Sequence, residues 1–378
     1  MNLAFVVERP TQFEVPFYRH AAADPAHRLR VLYTDPRGAE PVFDPELGRS
    51  VSWGIDLLGG YEHASCPDFG ALKRELRRSR YDLVLVNGYT RRLYVLAAAC
   101  ARGAGSPVAL RLDSALFETP PPRAVAKRLL FDLYLKRMYR LFFGVGSLTL
   151  DYLRFFGVPE ERMALFPYAV DVEAFRRGSD LSPAQRAAAR ARLGIPDDAR
   201  VLLSVAKLHP REAPWDLLRS LSQDGDRRSE NDRWLVIAGD GPERGTLEAF
   251  AREHGLETVR FLSYVPYPEL PALYAISDLF IHPAREERWG VSVQEALACG
   301  LPVLTSSRVG AARDLVRSGE NGATYTAGDA AGLARRIDEV LRLDPAGVRE
   351  VNRRILVDWD YAAAWRGILR AVSRIAGD

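Results

Sequence analysis

Residues 282–306 read HPAREERWGVSVQEALACGLPVLTS, and this stretch decides the fold. The apolar run 279–281 before it ends at His282–Pro283, as a short buried strand does. A loop then carries Glu287, and Trp289–Gly290–Val291–Ser292 turns the chain into a helix that contains Glu295. The first N–H groups of a helix lack intrahelical partners and lie at the positive end of its dipole. A strand, loop and helix in this order make an anion site suited to a diphosphate. Glu287 in the loop and Glu295 on the helix stand eight positions apart. One carboxylate can face a reacting centre while the other accepts hydrogen bonds from vicinal hydroxyls, such as those of a ribose. The plainer alternative is a helix start whose dipole favours acidic neighbours.

Outward from this stretch the same alternation repeats. LPVLTSS (301–307) follows it, while VLLSVAKL (201–208) and WLVIAGDG (234–241) precede it, each a strand running into a loop. The first half carries apolar runs at 3–7, 29–33, 83–86 and 108–112, with helical spacing at 69–78 and 90–102 between them. Such alternation predicts parallel sheets with helices on both faces, and ligand groups on the loops after the strand ends. In the first half those loops supply Glu8–Phe13, Asn87–Arg91 and Asp113–Phe117. Pro, Gly, Ser and Asp cluster over 166–200, as at an interdomain linker. At roughly 100–200 residues per domain, 378 residues make two. The expected division is 1–177, 178–355, and a C-terminal helix within 356–378 that crosses back to the first domain.

Composition narrows the function. Lys and Arg total 52 against 49 Asp and Glu, a formal charge of +3, which excludes a chain built to coat nucleic acid. Only Lys73, Lys127, Lys136 and Lys207 are lysine; the remaining basic residues are arginine. An arginine-favouring composition explains most of this, and it draws attention to Lys207 at the end of a strand. Cys66, Cys100 and Cys299 form neither a metal pattern nor an even disulfide set, and the six histidines show no metal spacing. MNLAFVVERP reads as a first strand rather than a leader, and no apolar run approaches the ~20 residues of a membrane span. A cytoplasmic protein is expected. The segment 121–144, with Arg123, Lys127, Arg128, Lys136, Arg137 and Arg140 among Leu, Phe and Tyr, also fits a helix lying on the inner face of an anionic membrane.

The glutamate pair with its flanks resembles the E-x7-E motif of retaining glycosyltransferases of family 4, which have the GT-B fold. Gly300, Pro302 and Gly310 stand where that family's next helix, strand and glycine turn place them. Further similar segments occur in the family's order: FPYAVDVEAF (166–175), VLLSVAKLHPREAP (201–214), VIAGDGPERGTLE (236–248) and VRFLSYVPYPELPALYAISDLFIHP (259–283). The resemblance covers roughly 140–325. It implies two Rossmann-like parallel-sheet domains facing a central cleft, an NDP-sugar donor held by the second, and an acceptor held by the first. That acceptor is a glycan, a lipid-linked sugar or a small molecule. It implies transfer with retention and no metal or other cofactor.

Site residues carry over position by position. Glu287 belongs near the donor sugar and Glu295 on the ribose. Lys207 matches the family's first basic residue on the diphosphate. Trp289, Gly290, Val291 and Ser292 line the donor, with Gly241 in the glycine-rich turn and Tyr264–Val265 at the base. Asp113 is a catalytic candidate that orients the acceptor hydroxyl or takes its proton, and a helix cap is its structural alternative. Glu8, Arg9, Gln12 and Asn87 are acceptor candidates by position. One departure stands out. The family's second basic residue, five positions after the first, is Glu212 here, so Arg211 is the substitute expected to reach the phosphates. Glu212 keeps a non-catalytic partner subunit open as an alternative, beside a GT-B nucleotide-sugar epimerase. A dinucleotide fingerprint at 239–245 lacks its third glycine, and Asp358–Trp359–Asp360 reads as a helix start.

Overall fold

The computed structural model describes residues 1–35, 42–44, 49–51, 54–117, 121–222 and 233–376. They form two compact units: Met1–Val42 with Ile55–Val170 and Trp359–Asp378, and Phe43–Gly54 with Asp171–Asp358.

The first unit holds a seven-stranded sheet. Its spatial order is Glu62–Ser65, Arg28–Tyr33, Asn2–Val7, Leu83–Val86, Val108–Leu112, Leu141–Gly144 and Met163–Leu165, and every pair is parallel. Its central strands are apolar almost throughout because helices cover both faces; Leu83 through Val86 are all buried. The strand order reverses between Asn2–Val7 and Leu83–Val86, which makes their C-terminal loops the natural binding crevice. The second unit repeats the plan with six parallel strands, in the order Val259–Leu262, Arg233–Ala238, Arg200–Val205, Leu279–His282, Val303–Ser306 and Gly322–Tyr325. Here the reversal lies between Arg200–Val205 and Leu279–His282. GT-B is therefore the observed fold class at the level of its two Rossmann-like sheets.

The linker reading needs adjustment. Composition placed the boundary at 177, but the division falls after Val170. The helix Val172–Gly178 packs on the helices Leu270–Ala275 and Val291–Ala298. Its buried Phe175 meets Tyr267 at 5.3 Å and Tyr274 at 6.0 Å between ring centroids. One apolar side chain with a partner outweighs the loop-like residues around it. The last helix, Tyr361–Ala376, packs on the strand Met163–Leu165 and the helix Val15–Ala22 of the first unit. Trp365 Nε1 donates to Asp24 Oδ2 at 2.9 Å.

The N-terminal ends of the two central strands in the second unit are clamped by a buried charge pair. Arg190, on the helix Pro183–Arg192, donates to Ile276 O, Asp197 O and Ala199 O and pairs with Asp278 at 2.9 Å. The same Asp278 oxygen accepts from the Val201 N–H at 2.8 Å. Asp278 is half-buried and also pairs with Arg186 at 3.1 Å, whereas Arg190 is fully buried, so removing Asp278 is the change that leaves a charge buried without its partner, at a cost of ~3–5 kcal/mol. Asp278→Ala is therefore expected to lower the unfolding free energy of the second unit by an amount in that range, read by urea denaturation. Exchanging Arg190 and Asp278 together for apolar residues should cost clearly less.

Candidate active site

The crevice of the second unit is built by two loops. The first leaves the strand Arg200–Val205 and carries Lys207, Arg211 and Glu212; the second leaves Leu279–His282 and carries Glu287. The first loop runs against the glycine-rich turn. Leu208 N–H donates to Asp240 O at 2.8 Å, and Ala206 N–H to Ala238 O at 3.2 Å. A Cβ at Gly239 would lie 1.9 Å from Ala206 O, and one at Gly241 2.5 Å from Leu208 O. Both glycines are therefore required by close backbone approach. The Arg285 N–H then donates to Arg211 O at 2.8 Å and joins the two loops.

Glu287 is half-buried and fixed from several sides. Its N–H donates to Arg308 O at 3.0 Å, its carbonyl accepts from Gly310, and its Oε1 accepts the Trp289 N–H at 3.2 Å. Gly290, at φ +97°, caps the helix Val291–Ala298 without a side-chain hydrogen bond. Only a residue at ease in the left-handed region makes that turn readily. The next residues, Val291 and Ser292, are half-buried at the helix start. The Trp289 side chain is 2% exposed, so its indole packs in the core.

Glu212 closes a short 3₁₀ turn, Pro210–Glu212, before Ala213 at φ +50°. Its carboxylate is 5% exposed. Oε1 accepts from Arg211 at 2.9 Å, so that arginine is engaged with Glu212. Oε2 points toward His282 Nε2, 3.9 Å away. Ligand atoms of Glu212, His282 and Glu287 all lie within 4.8 Å of one another. Histidine spacing gave no hint of this group, because its members come from three places in the chain. Adjacent strands at the sheet reversal are the signal that brings them together.

Glu295 is buried, and its Oε2 accepts from the Tyr274 hydroxyl at 2.8 Å. Burial raises its pKa to about 7, with the Tyr274 bond opposing the shift. Tyr274 was not anticipated. Tyr264 and Val265 sit half-buried just beyond the edge strand Val259–Leu262, at the same C-terminal edge of the sheet.

In the first unit, the sheet reversal gathers Glu8, Arg9 and Asn87. The Asn87 N–H donates to Val6 O, and Glu8 pairs with Arg91 at 2.6 Å and with Arg9 at 3.5 Å. Arg91 was missed as Glu8's partner. Gln12 keeps a buried side-chain oxygen without a partner. Asp113, half-buried after Val108–Leu112, lies 3.5 Å from the Tyr168 hydroxyl that donates to it. Nearby, buried Arg111 pairs with Glu14 at 2.7 Å and donates to Phe166 O and Pro167 O.

Comparison with known proteins places this geometry. Residues 185–354 match the family model described as "Glycosyl transferases group 1". That segment is similar to the group 1 glycosyl transferases. A D-inositol 3-phosphate glycosyltransferase of Thermobispora bispora is 34% identical over 226 residues, covering 57% of this chain and 51% of that one. The chain thus spans about half the length of this curated relative. The crystal structure of HepE from Anabaena with UDP superposes with a TM-score of 0.78 at 20% identity, over 99% of this chain and 100% of that one. A glycosyltransferase from Rickettsia africae gives 0.76 at 13% identity, covering 99% and 98%. These structural likenesses establish a GT-B fold. The group 1 segment contains Lys207, Glu212, His282, Glu287 and Glu295, but begins after the first-unit residues.

Burial of Glu295 has a stability consequence. Its folded pKa, about 7, exceeds the ordinary carboxylate value, so the folded state holds the proton more tightly. This contribution to stability is full below the unfolded pKa, about 4.5, and is lost as pH rises through about 7. Glu295→Gln should flatten the fall in melting temperature between pH 5 and 8, read by calorimetry.

Proposed function

We propose that the chain is a family 4 glycosyltransferase that moves a sugar from an NDP-sugar to an acceptor with retention of configuration. The observation that carries this reading is the group 1 segment whose sheet reversal holds Lys207, Glu287 and the Gly290-capped helix start together. HepE was crystallised with UDP, with UDP and glucose, and with UDP-glucose, which supports a uridine nucleotide as the first donor to try. Lys207 neutralises the leaving diphosphate, and the N–H groups at 290–292 stabilise the same charge. Arg211 contributes if it leaves Glu212 on donor binding. Glu287 faces the donor sugar, Glu295 with Tyr274 shapes the ribose end, and Tyr264–Val265 meets the base. The first unit holds the acceptor through Glu8, Arg9, Gln12 and Asn87, with Asp113 placed to take its proton.

The expected test is donor hydrolysis and transfer across a nucleotide-sugar panel. Lys207→Ala should lower kcat about a hundredfold or more, ~2.7 kcal/mol of transition-state stabilisation. Glu287→Ala should be at least as damaging. Nucleotide binding without turnover, unchanged by either substitution, would instead favour the non-catalytic partner that Glu212 suggests.

Peripheral membrane attachment is part of the proposal. Among the described residues no helix is long and apolar enough to cross a membrane. The helix Pro121–Leu130 and the wider turn Phe131–Leu135 expose Val125, Leu129 and Leu133, four residues apart, with Leu130 beside them. A cavity of about 780 Å³ at the end of this segment is lined by Arg102, Lys136, Arg137, Arg140, Arg162 and Arg374. Apolar residues flanked by cations suit the surface of an anionic bilayer. The chain should sediment with phosphatidylglycerol vesicles and not with phosphatidylcholine ones. Leu129→Glu with Leu133→Glu should abolish this, and binding indifferent to those changes would remove the membrane from the reading.

A further inference from the structure

The first unit carries a second concave surface, away from its acceptor candidates. The cavity of about 780 Å³ opens at the N-terminal ends of the strands Val108–Leu112 and Leu141–Gly144. Asn87 and Asp113 follow C-terminal strand ends, so they lie at the opposite edge of the same sheet. Four stretches of chain converge on the cavity: 102–108, 136–140, 161–162 and 374–375. Five arginines line it against one carboxylate, Glu161, a net of +4; Lys136 also lines it but is paired with Asp132. An arginine-rich chain places guanidinium groups on many surfaces, and elsewhere in this unit carboxylates meet them. Arg28 pairs with Glu62 at 2.8 Å, Arg30 with Glu75 at 2.8 Å and Arg154 with Asp151 at 2.7 Å. The cavity holds its arginines differently. Arg162 donates to Arg140 O at 3.1 Å, to Lys136 O at 2.7 Å and to Tyr139 O. Arg102 donates to Arg137 O, and Arg374 to Met163 O at 3.2 Å. Among the described residues these three donate to carbonyls and to no carboxylate. Carbonyl acceptors fix where a guanidinium stands but leave its charge in place. Burial, and then the charge of Arg140, lowers the pKa of Arg162 from its ordinary value, as crowding among cations does.

We propose that this cavity binds a ligand carrying two or more phosphate groups, apart from both the donor crevice and the acceptor loops. Guanidinium forks match phosphate oxygens two at a time. A concave wall of one sign focuses its field on the space it encloses. The volume, about 780 Å³, lies within the ~300–1,000 Å³ of ligand pockets. A net of +4 calls for more negative charge than one phosphate group, at about −2, supplies. Guanidinium groups tied to carbonyls are already in place, so little side-chain freedom is lost on binding. The chemistry is the same whether the phosphates belong to a soluble oligophosphate or to a lipid headgroup. The site stands independent of the donor reading and of bilayer attachment, which needs surface charge but no pocket.

Inorganic tripolyphosphate is the probe, titrated calorimetrically into the full chain with excess UDP present to occupy the donor crevice. One equivalent should bind. Arg137→Glu with Arg140→Glu, both exposed, should weaken it at least tenfold. Arg77→Glu with Arg78→Glu, exposed on the helix Phe69–Arg78, changes the net charge equally and should not. Circular dichroism melts establish that each variant is folded. No tripolyphosphate bound by the folded wild type, or affinity lowered equally by the two double variants or by neither, overturns the site. UDP titrated alone reads the donor site: its failure to bind rejects that reading, while the comparison of the two double variants still decides the cavity. Leu129→Glu with Leu133→Glu, which should abolish bilayer attachment, should leave tripolyphosphate binding unchanged. Cardiolipin vesicles separate the two sources of phosphate. Release of the chain by tripolyphosphate at constant ionic strength supports a lipid headgroup in the cavity, and vesicle binding that tripolyphosphate leaves untouched supports a soluble ligand there.

Discussion

The candidate site depends on the passage of one backbone over another. The chain leaving Arg200–Val205 crosses the glycine-rich turn so closely that a Cβ at Gly239 would clash with Ala206 O at 1.9 Å. Hydrogen bonds from Leu208 to Asp240 and from Glu243 to Leu208 hold the crossing in place. With that path set, Lys207 stands at the strand end and Glu212 follows after one short turn. The link from Arg285 to Arg211 then brings the second loop alongside. Any side chain at 239 would push the first loop off the sheet edge and separate Glu212 from His282.

The same two strands serve stability at one end and chemistry at the other. At their N-terminal ends Arg190 and Asp278 satisfy each other and the surrounding carbonyls, so burial of these charges is compensated. At their C-terminal ends Glu212 and His282 are equally buried and remain short of partners. The contrast is physical. A fully connected polar network holds a fold, whereas a partly connected one contributes less to it.

Much of this was legible in the sequence. Continuous apolar runs such as 83–86 and 108–112 announced buried parallel strands, and the glutamates at 287 and 295 announced a loop and a helix. What escaped was set by contacts across the sheet. Phe175 drew its helix into the second unit through Tyr267 and Tyr274, which no local composition encodes. Trp289 stands beside the helix-start glycine, and packing takes its indole into the core. Tyr274 and Glu295 are 21 positions apart, and their hydrogen bond exists only because two helices pack. The cluster of Glu212, His282 and Glu287 was hidden for the same reason: the strand order brings adjacent what the chain separates.

Glu212 is informative because of where its carboxylate lies. An acidic residue of no consequence on this loop has an easy path to water; its neighbour Arg211 has a side chain 48% exposed. The turn residue Ala213, at φ +50°, pays conformational strain to hold the loop as it is. The result is an inward carboxylate facing an inward imidazole, with Glu287 completing the set. The turn at Ala213 thus holds the Glu212 carboxylate against the His282 imidazole in a buried crevice. Lys207 opens the same loop, so one short stretch of chain carries a cation at its start and an inward carboxylate at its end.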